Sequence, residues 1–527
     1  MILTMICKIC VLVAAVLDFC LILRYNLHMF QLNGYKNKEH LPWLMKNAGK
    51  QRLLWVLLGA AILFALLTLI LQKEMAGYIL LFLTFLPILW YYNYLRRQKA
   101  KKKLNYTARV KRLMVTNVLV IALLTVVAVL LGGEAAGCLI LSLCLAAEPL
   151  IIMLSNRINQ PVEKAVNQYY IRDAQKMLRS NKNLTIIGIT GSYGKTSMKY
   201  FLGAILQEKY NTLITPESYN TPMGIVKTIR GSLKPSHEIF VCEMGARHVG
   251  DIKEICDIVH PHHGILTSIG PQHLETFFTI DNIVNTKFEL ADALPADGLL
   301  FLNGDNDLVR ERGQRYKAIY FGTEGKTEGY KAQDIQYSEL GTSFKVVTPS
   351  GESEMFQTRL IGSHNLIDLL GAIAAAHTLG VPLTDMKVAI RRIQPVAHRL
   401  QLIERGNVTI IDDAFNSNPV GSKAAVETLA MFGGERILVT PGMVELGKEE
   451  ERYNFEFGTY AADCCDVIIL VGKKRTRPIA EGVKSRNFPE DKLIVTDTLE
   501  EALAAAYSIP TEEHRYILLE NDLPDNY

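Results

Sequence analysis

Five apolar runs, at about residues 3–23, 53–72, 75–95, 113–132 and 135–155, each come close to the ~20 residues that span a bilayer core. Few features constrain a chain more. In hydrocarbon every backbone polar group must be bonded internally, which leaves helices or closed barrels, and runs of this length are helical. The sequence therefore predicts an α-helical membrane domain over residues 1–155. Basic residues mark two connections: Arg24, Lys36, Lys38, Lys46, Lys50 and Arg52 after the first run, and "RRQKAKKK" with Arg109, Lys111 and Arg112 after the third. The connections at "QKE" and "GGE" are short and almost uncharged. Placing both basic connections in the cytoplasm puts the N-terminus outside and everything after the fifth run inside. Lys8 and Asp18 interrupt the first run and no small-residue cleavage site follows it, so it reads as a retained helix rather than a signal peptide. Asp18 and Glu148 are the acidic residues within the runs, each facing a neighbouring helix or serving a function there.

Beyond about Asn156 the composition is that of a soluble α/β protein. A net charge of +4, spread along the chain apart from the basic connection, gives no reason to expect a nucleic-acid partner. Nine scattered cysteines, Cys7 and Cys10 included, form no metal or disulfide framework. Residues 156–183 read as a polar linker helix. Short β-branched runs then alternate with helix-length stretches: "LTIIGIT", "EIFVCEMG", "HHGILTSIG" and "GLLFLNGD", and later "VTIIDDAF", "RILVTPGM", "DVIILVG", "KLIVTD" and "RYILLEND". That alternation predicts mainly parallel sheets with function at the strand ends, divided near residue 395 into a central domain, 184–395, and a Rossmann-like C-terminal domain, 396–527.

The segment "GITGSYGKTS" supplies the chemistry. A strand ending at Thr190, a tight turn through Gly191, Ser192 and Gly194, and a helix from Lys195 would aim backbone N–H groups at a polyphosphate. Lys195 would reach the β- and γ-phosphates, the Thr196 hydroxyl a Mg²⁺ ion, and Ser197 completes the loop. The central domain is thus a P-loop ATP-binding domain, although Ile189 stands where the common Walker A has glycine.

Downstream follow "CEMGARHVGDI", "SIGPQHLETF", "NTKFEL", "LNGDND", "GSHNLIDLLGAIAAA", "AHRL" and "IDDAFNSNP", in that order. This series, over about residues 184–470, resembles the Mur ligase family, most closely its D-alanyl-D-alanine-adding members. The resemblance implies ATP-dependent amide formation through an acyl phosphate, with two Mg²⁺ ions. It implies Glu243 as the carboxylate of the metal pair, His273 as a ligand of the second metal, and Lys287 as a lysine carried as a carbamate. It further places Asn303 and Asn365 near the adenine, Arg399 across at the phosphates and Asp413 near the ribose, so that ATP lies between two domains and their closure completes the site.

Departures from the family pattern concern the substrates. Membrane helices stand in place of the family's UDP-binding domain; Asn220-Thr221 replaces an asparagine pair, Asp368 a second asparagine, Gly442 an aspartate, and "LLENDLPDNY" a "KGS" segment. The expectation is a multi-pass cell-membrane protein with cytoplasmic catalytic domains. It would join a carboxylate acceptor, a muropeptide or a lipid-linked one, to an amino acid or dipeptide in peptidoglycan precursor synthesis. The alternative is a transport or scaffold protein regulated or powered by its ATP domain, which would have no need of Lys287 beside His273.

Overall fold

The computed structural model describes residues 2–47, 52–71, 74–97, 103–415 and 417–522. Gln72 and Lys73 of "QKE", residues 98–102 of "RRQKAKKK", Asn416 and the terminal Leu523–Tyr527 lie outside the described residues. The chain divides into two compact units, one up to Gln168 and one from Tyr169.

The first unit is helical: α1 (Ile2–Leu32), α2 (Asn37–Asn47), α3 (Arg52–Leu71), α4 (Glu74–Arg97), α5 (Ala108–Ala146) and α6 (Glu148–Ser180), the last of which crosses residue 168. The fifth expected run, 135–155, is not one helix. α5 continues through the fourth run and bends at Gly133 (φ 75°), and the chain breaks again at Ala147 (φ −87°, ψ 4°). Pro149 explains the second break, because it lacks the N–H that would continue the ladder and is tolerated in the first turn of α6. The expected linker helix is likewise not separate, since α6 carries it without interruption from Glu148. The first basic connection contains α2, which the sequence reading did not expect. Among the described residues two helices, Met5–Leu32 and Ala108–Ala146, are long and apolar enough to cross a membrane, while Trp55–Leu67 and Leu81–Tyr92 form shorter apolar helices.

A few polar side chains lie within the otherwise apolar core of this unit. Asp18, Asn26, Asn117 and Glu148 are buried, and the Asn117 amide donates to Glu148 Oε1 at 3.2 Å. Leu119, Leu123, Leu130 and Leu131 are exposed, the last at 84%. An exposed apolar surface of this kind marks a face made for lipid or for a partner.

The second unit holds two sheets. The nine-stranded sheet comprises β1 (Thr185–Thr190), β2 (Thr212–Ile214), β3 (Ile239–Glu243), β4 (His263–Leu266), β5 (Leu300–Asn303), β6 (Ile319–Gly322), β7 (Gly329–Ser338), β8 (Gly341–Val347) and β9 (Ser353–Thr358), in the order β2-β3-β1-β4-β5-β6-β7-β8-β9. Pairing is parallel from β2 to β7, and β7-β8-β9 close it as an antiparallel meander. β1 lies between β3 and β4: the chain passes to one side of it for β2 and β3 and to the other from β4 on, so the loop after β1 opens at the switch point where such sheets bind ligands. Ile187 and Ile189 of β1 face a core shared with α7 (Lys195–Leu206) and the helix Ser363–Thr378. Ile186 faces the opposite core, shared with α8 (Pro222–Ser232), α9 (Asp251–Val259), α11 (Ile280–Asp292) and the end of α6; α10 is the short helix Leu274–Phe277. Each fully buried side chain of Ile or Phe size stabilises the fold by about 1.5–3 kcal/mol, so sandwiching β1 from both sides makes it a rigid base for the loop it carries.

The second sheet has six strands: β10 (Gln401–Arg405), β11 (Val408–Asp413), β12 (Glu435–Thr440), β13 (Val467–Val471), β14 (Leu493–Thr496) and β15 (Arg515–Glu520), in the order β10-β11-β15-β12-β13-β14. Only β10 runs antiparallel, and β15, the last of the described strands, sits between β11 and β12.

Candidate active site

β1 ends at Thr190 and α7 begins at Lys195, as the loop sequence predicts. Gly194 caps α7 in the left-handed region (φ 79°), where a Cβ would lie 2.2 Å from Asp368 Oδ1, so only glycine fits. Ser192 is locked by its N–H to Ser268 O (2.6 Å) and its hydroxyl to Gly270 O (3.1 Å). Lys195 Nζ folds back onto the carbonyls of Gly191 (2.8 Å) and Ser192 (2.9 Å) and lies within the cradle itself. Burial pulls its pKa down to about 8, against the attraction of Glu243 and Asp368. Ser197 is buried in the first turn of α7.

Glu243 closes β3 and is 1% exposed. Its Oε1 accepts from the Thr196 hydroxyl (3.0 Å) and the Asn220 amide (2.9 Å), and its Oε2 from Lys199 Nζ (3.1 Å). Although burial alone would raise it, Lys199, Lys195 and Asn220 hold the carboxyl below its ordinary range, so it is ionised at neutral pH. Arg399, from the segment before β10, donates to Thr196 Oγ1 at 3.3 Å and thus reaches the P-loop from the six-stranded sheet's side. Asp413 holds that segment: its Oδ1 accepts from the N–H of Leu400, which is itself left-handed (φ 46°). Burial raises Asp413 to about 6 and Asp368 to about 7, each opposed by Arg399.

His273 and Lys287 flank this centre from α10 and α11. His273, at φ 53°, pairs through Nδ1 with Glu445 Oε2, and Arg247 donates to the other oxygen of Glu445 at 3.1 Å. Lys287 is 2% exposed, and burial, with Lys195 nearby, drives its pKa well below the ordinary lysine value. Asn303 and Asn365 are buried with their amides spent on Ser268 Oγ (3.1 Å) and Ile361 O (2.9 Å). Lys195, Thr196, Glu243, Asp368 and Arg399 therefore form one cluster; His273 is tied to Glu445 rather than to Glu243, and the two asparagines are buried with their amides engaged elsewhere.

The donor set fits Mg²⁺. The Glu243 carboxylate and the Thr196 hydroxyl, beside the loop after β1, are hard oxygen donors, and Mg²⁺ takes one or two carboxylates together with nucleotide phosphates. Among the described residues no group of three or more His, Cys, Asp or Glu side chains converges as a metal site of its own.

Residues 189–376 match the Mur ligase middle domain and residues 398–519 the Mur ligase glutamate ligase domain, together more than half of the chain. The UDP-N-acetylmuramoyl-tripeptide–D-alanyl-D-alanine ligase of Escherichia coli (strain K12) is 30% identical over 355 residues, 64% of this chain and 77% of that one. The chain belongs to the Mur ligase family. Two solved structures agree. MurF from Acinetobacter baumannii has a TM-score of 0.61 at 27% identity, covering 67% of this chain and 77% of that one. MurF ligase from Thermotoga maritima in complex with ADP has a TM-score of 0.59 at 26% identity, covering 68% and 80%. This Mur ligase is an ATP-dependent enzyme that forms amide bonds, and its family uses ATP and Mg²⁺.

Three residues of the ligase site escaped the sequence reading. Lys199 follows Lys195 by four residues on the buried face of α7, a spacing that signals a shared face. Glu445 lies 172 residues from His273, and nothing in either segment signals the pair. Glu520 ends β15 beside Asp413 in register, is 1% exposed and accepts from the Ser417 hydroxyl at 2.5 Å. Burial and the Asp413 charge push it up to about 8.

Proposed function

We propose that this ligase is membrane-anchored and acts in peptidoglycan precursor synthesis, activating a carboxylate acceptor as an acyl phosphate and coupling it to the amine of an amino acid or dipeptide. The relatives' printed activity makes a muramoyl tripeptide and D-alanyl-D-alanine the first pair to try, with a lipid-linked acceptor as the variant that membrane anchoring favours. The observation that carries the reading is the convergence of Lys195, Thr196, Glu243 and Arg399 from both sheets on one phosphate cradle. ATP and the acceptor carboxylate are both anionic, and each close like-charge contact costs on the order of 4 kcal/mol at an effective dielectric of about 20. Lys195 and Arg399 offset that repulsion, and bound Mg²⁺ supplies the remaining positive charge at the transferring phosphoryl group. The amine then displaces phosphate, leaving the amide, ADP and phosphate.

Under this reading residues 1–155 are the membrane domain, 156–183 the linker, 184–395 the ATP-binding domain and 396–527 the C-terminal domain, with both catalytic domains cytoplasmic. The buried polar and exposed apolar pattern of the helical unit supports the anchoring. Gly191, Ser192, Gly194 and Ser197 hold the phosphates, and Asn303, Asn365 and Asp413 shape the nucleoside end.

Lys287 completes the reading as a carbamate. Carbamylation adds CO₂ to a neutral amine with loss of one proton, and burial keeps this amine neutral far more readily than a surface lysine. The product is a carboxylate-like group able to serve a second Mg²⁺ together with His273. Lys287→Ala is expected to lose amide formation and to regain part of it with acetate or formate, which can fill the vacated space. Full activity of the unrescued variant would refute the second-metal assignment.

A further inference from the structure

Lys195 and Lys199 stand one turn apart on α7, on the same face. Lys199 is fully buried, which an ammonium group tolerates only when paired. Its Nζ donates to Glu243 Oε2 at 3.1 Å and to the Glu217 carbonyl, and lies 4.4 Å from the centroid of the Tyr200 ring. Those contacts engage it on every side, so it is fixed. Oε1 of the same carboxylate differs: its partners are the Thr196 hydroxyl and the Asn220 amide, both neutral. Glu243 thus has one oxygen held by a cation and one held by neutral donors alone.

We propose that Lys199 is a positioning residue that presents only Oε1 of Glu243 to a divalent cation and keeps that cation out until a nucleotide brings its phosphates. The proposal rests on the ligase reading in one respect, the assignment of Glu243 as the metal carboxylate. Three cations, Lys195, Lys199 and Arg399, face Glu243 and Asp368 here. A hydrated dication gains little from one carboxylate already offset by an ammonium, and Mg²⁺ gives up its water reluctantly. A triphosphate reverses the charge balance and supplies oxygens, so cation and nucleotide enter together. The Lys199 charge therefore excludes the unproductive state in which metal sits on Glu243 without ATP.

The test uses Mn²⁺ as the probe, its unbound fraction read by electron paramagnetic resonance, on the full chain with and without a non-hydrolysable ATP analogue. The wild type is expected to bind Mn²⁺ at least tenfold more tightly with the analogue than without it. Lys199→Gln is expected to gain at least tenfold in nucleotide-free Mn²⁺ affinity, and Lys199→Arg, which keeps the charge, to retain the wild-type gap. Adding Glu243→Gln to Lys199→Gln should abolish the gain. Lys199→Met is measured alongside, so that poor folding of one variant leaves the other to decide. Unchanged or weaker nucleotide-free binding in a Lys199→Gln or Lys199→Met protein that still binds the analogue overturns the proposal, as does a Lys199→Arg protein that behaves like Lys199→Gln. None of these readouts requires amide formation. A chain that shows this Mn²⁺ pattern but forms no amide refutes the ligase reading and leaves the role of Lys199 standing; an active ligase without the pattern refutes that role alone.

Discussion

Replacing Gly194 by alanine tests how tightly the phosphate cradle is built. An L-residue at φ 79° costs about 1–2 kcal/mol in backbone energy. The new methyl would also lie 2.2 Å from Asp368 Oδ1, 2.5 Å from Oδ2 and 2.7 Å from Cγ, against a side chain that is only 4% exposed and has little room to withdraw. Forcing a group into such packing costs about 1–3 kcal/mol more. Gly194→Ala is therefore expected to destabilise by roughly 2–5 kcal/mol, or about 4–20 °C in the thermal midpoint of a domain of 150–250 residues. Asp368→Ala in the same background removes the obstacle and leaves the backbone cost, so the pair should recover about 1–3 kcal/mol relative to the sum of the single changes. Thermal unfolding of the four proteins in the cycle measures this coupling. A double variant whose loss equals that sum within about 0.5 kcal/mol would refute the steric argument.

Arg399→Ala should lower kcat by about 10²–10³, the usual loss when one donor to developing charge is removed, and a steady-state assay showing less than tenfold would place Arg399 outside the reaction. Glu520, at about 8 in the fold against an ordinary 4.5, holds a proton that the unfolded chain has released, so stability falls as pH rises from about 4.5 to 8. Glu520→Gln stays neutral and should flatten that fall, adding up to about a few kcal/mol of stability at pH 8, read as a higher thermal midpoint, while changing little at pH 4.5; parallel curves would count against it. If the five apolar runs each cross the membrane with their basic connections cytoplasmic, a reporter fused after Tyr527 lies inside and one fused before Met1 outside; matching sides would mean an even number of crossings.

The sequence was most readable where one residue type can do a job. Gly194 and Lys195 fix the phosphate loop, and β-branched runs such as "TIIGIT" and "VIILV" locate buried parallel strands. It was less readable where strands are short or half exposed: β2 has three residues, β10 ends in exposed Glu404-Arg405, and the second half of β7 is largely solvent-facing. Apolar content located the membrane-length stretches but not their breaks, because hydrophobicity is blind to the backbone effects of Gly133 and Pro149. Contacts such as Glu445 with His273 depend on how two domains meet, and no local pattern encodes that.

The position of β15 bears on how the protein is made. Until residues 515–520 have left the ribosome, β11 and β12 have no partner on their facing edges, and the two halves of the six-stranded sheet cannot join. Unpaired parallel edges of this kind are sticky, and pairing that closes over about a hundred residues is slow. The nine-stranded domain can be finished while its successor is still two open fragments. A ribosome stalled before Arg515 should thus hold a chain with a complete phosphate loop, no assembled partner for it, and a strong tendency to aggregate.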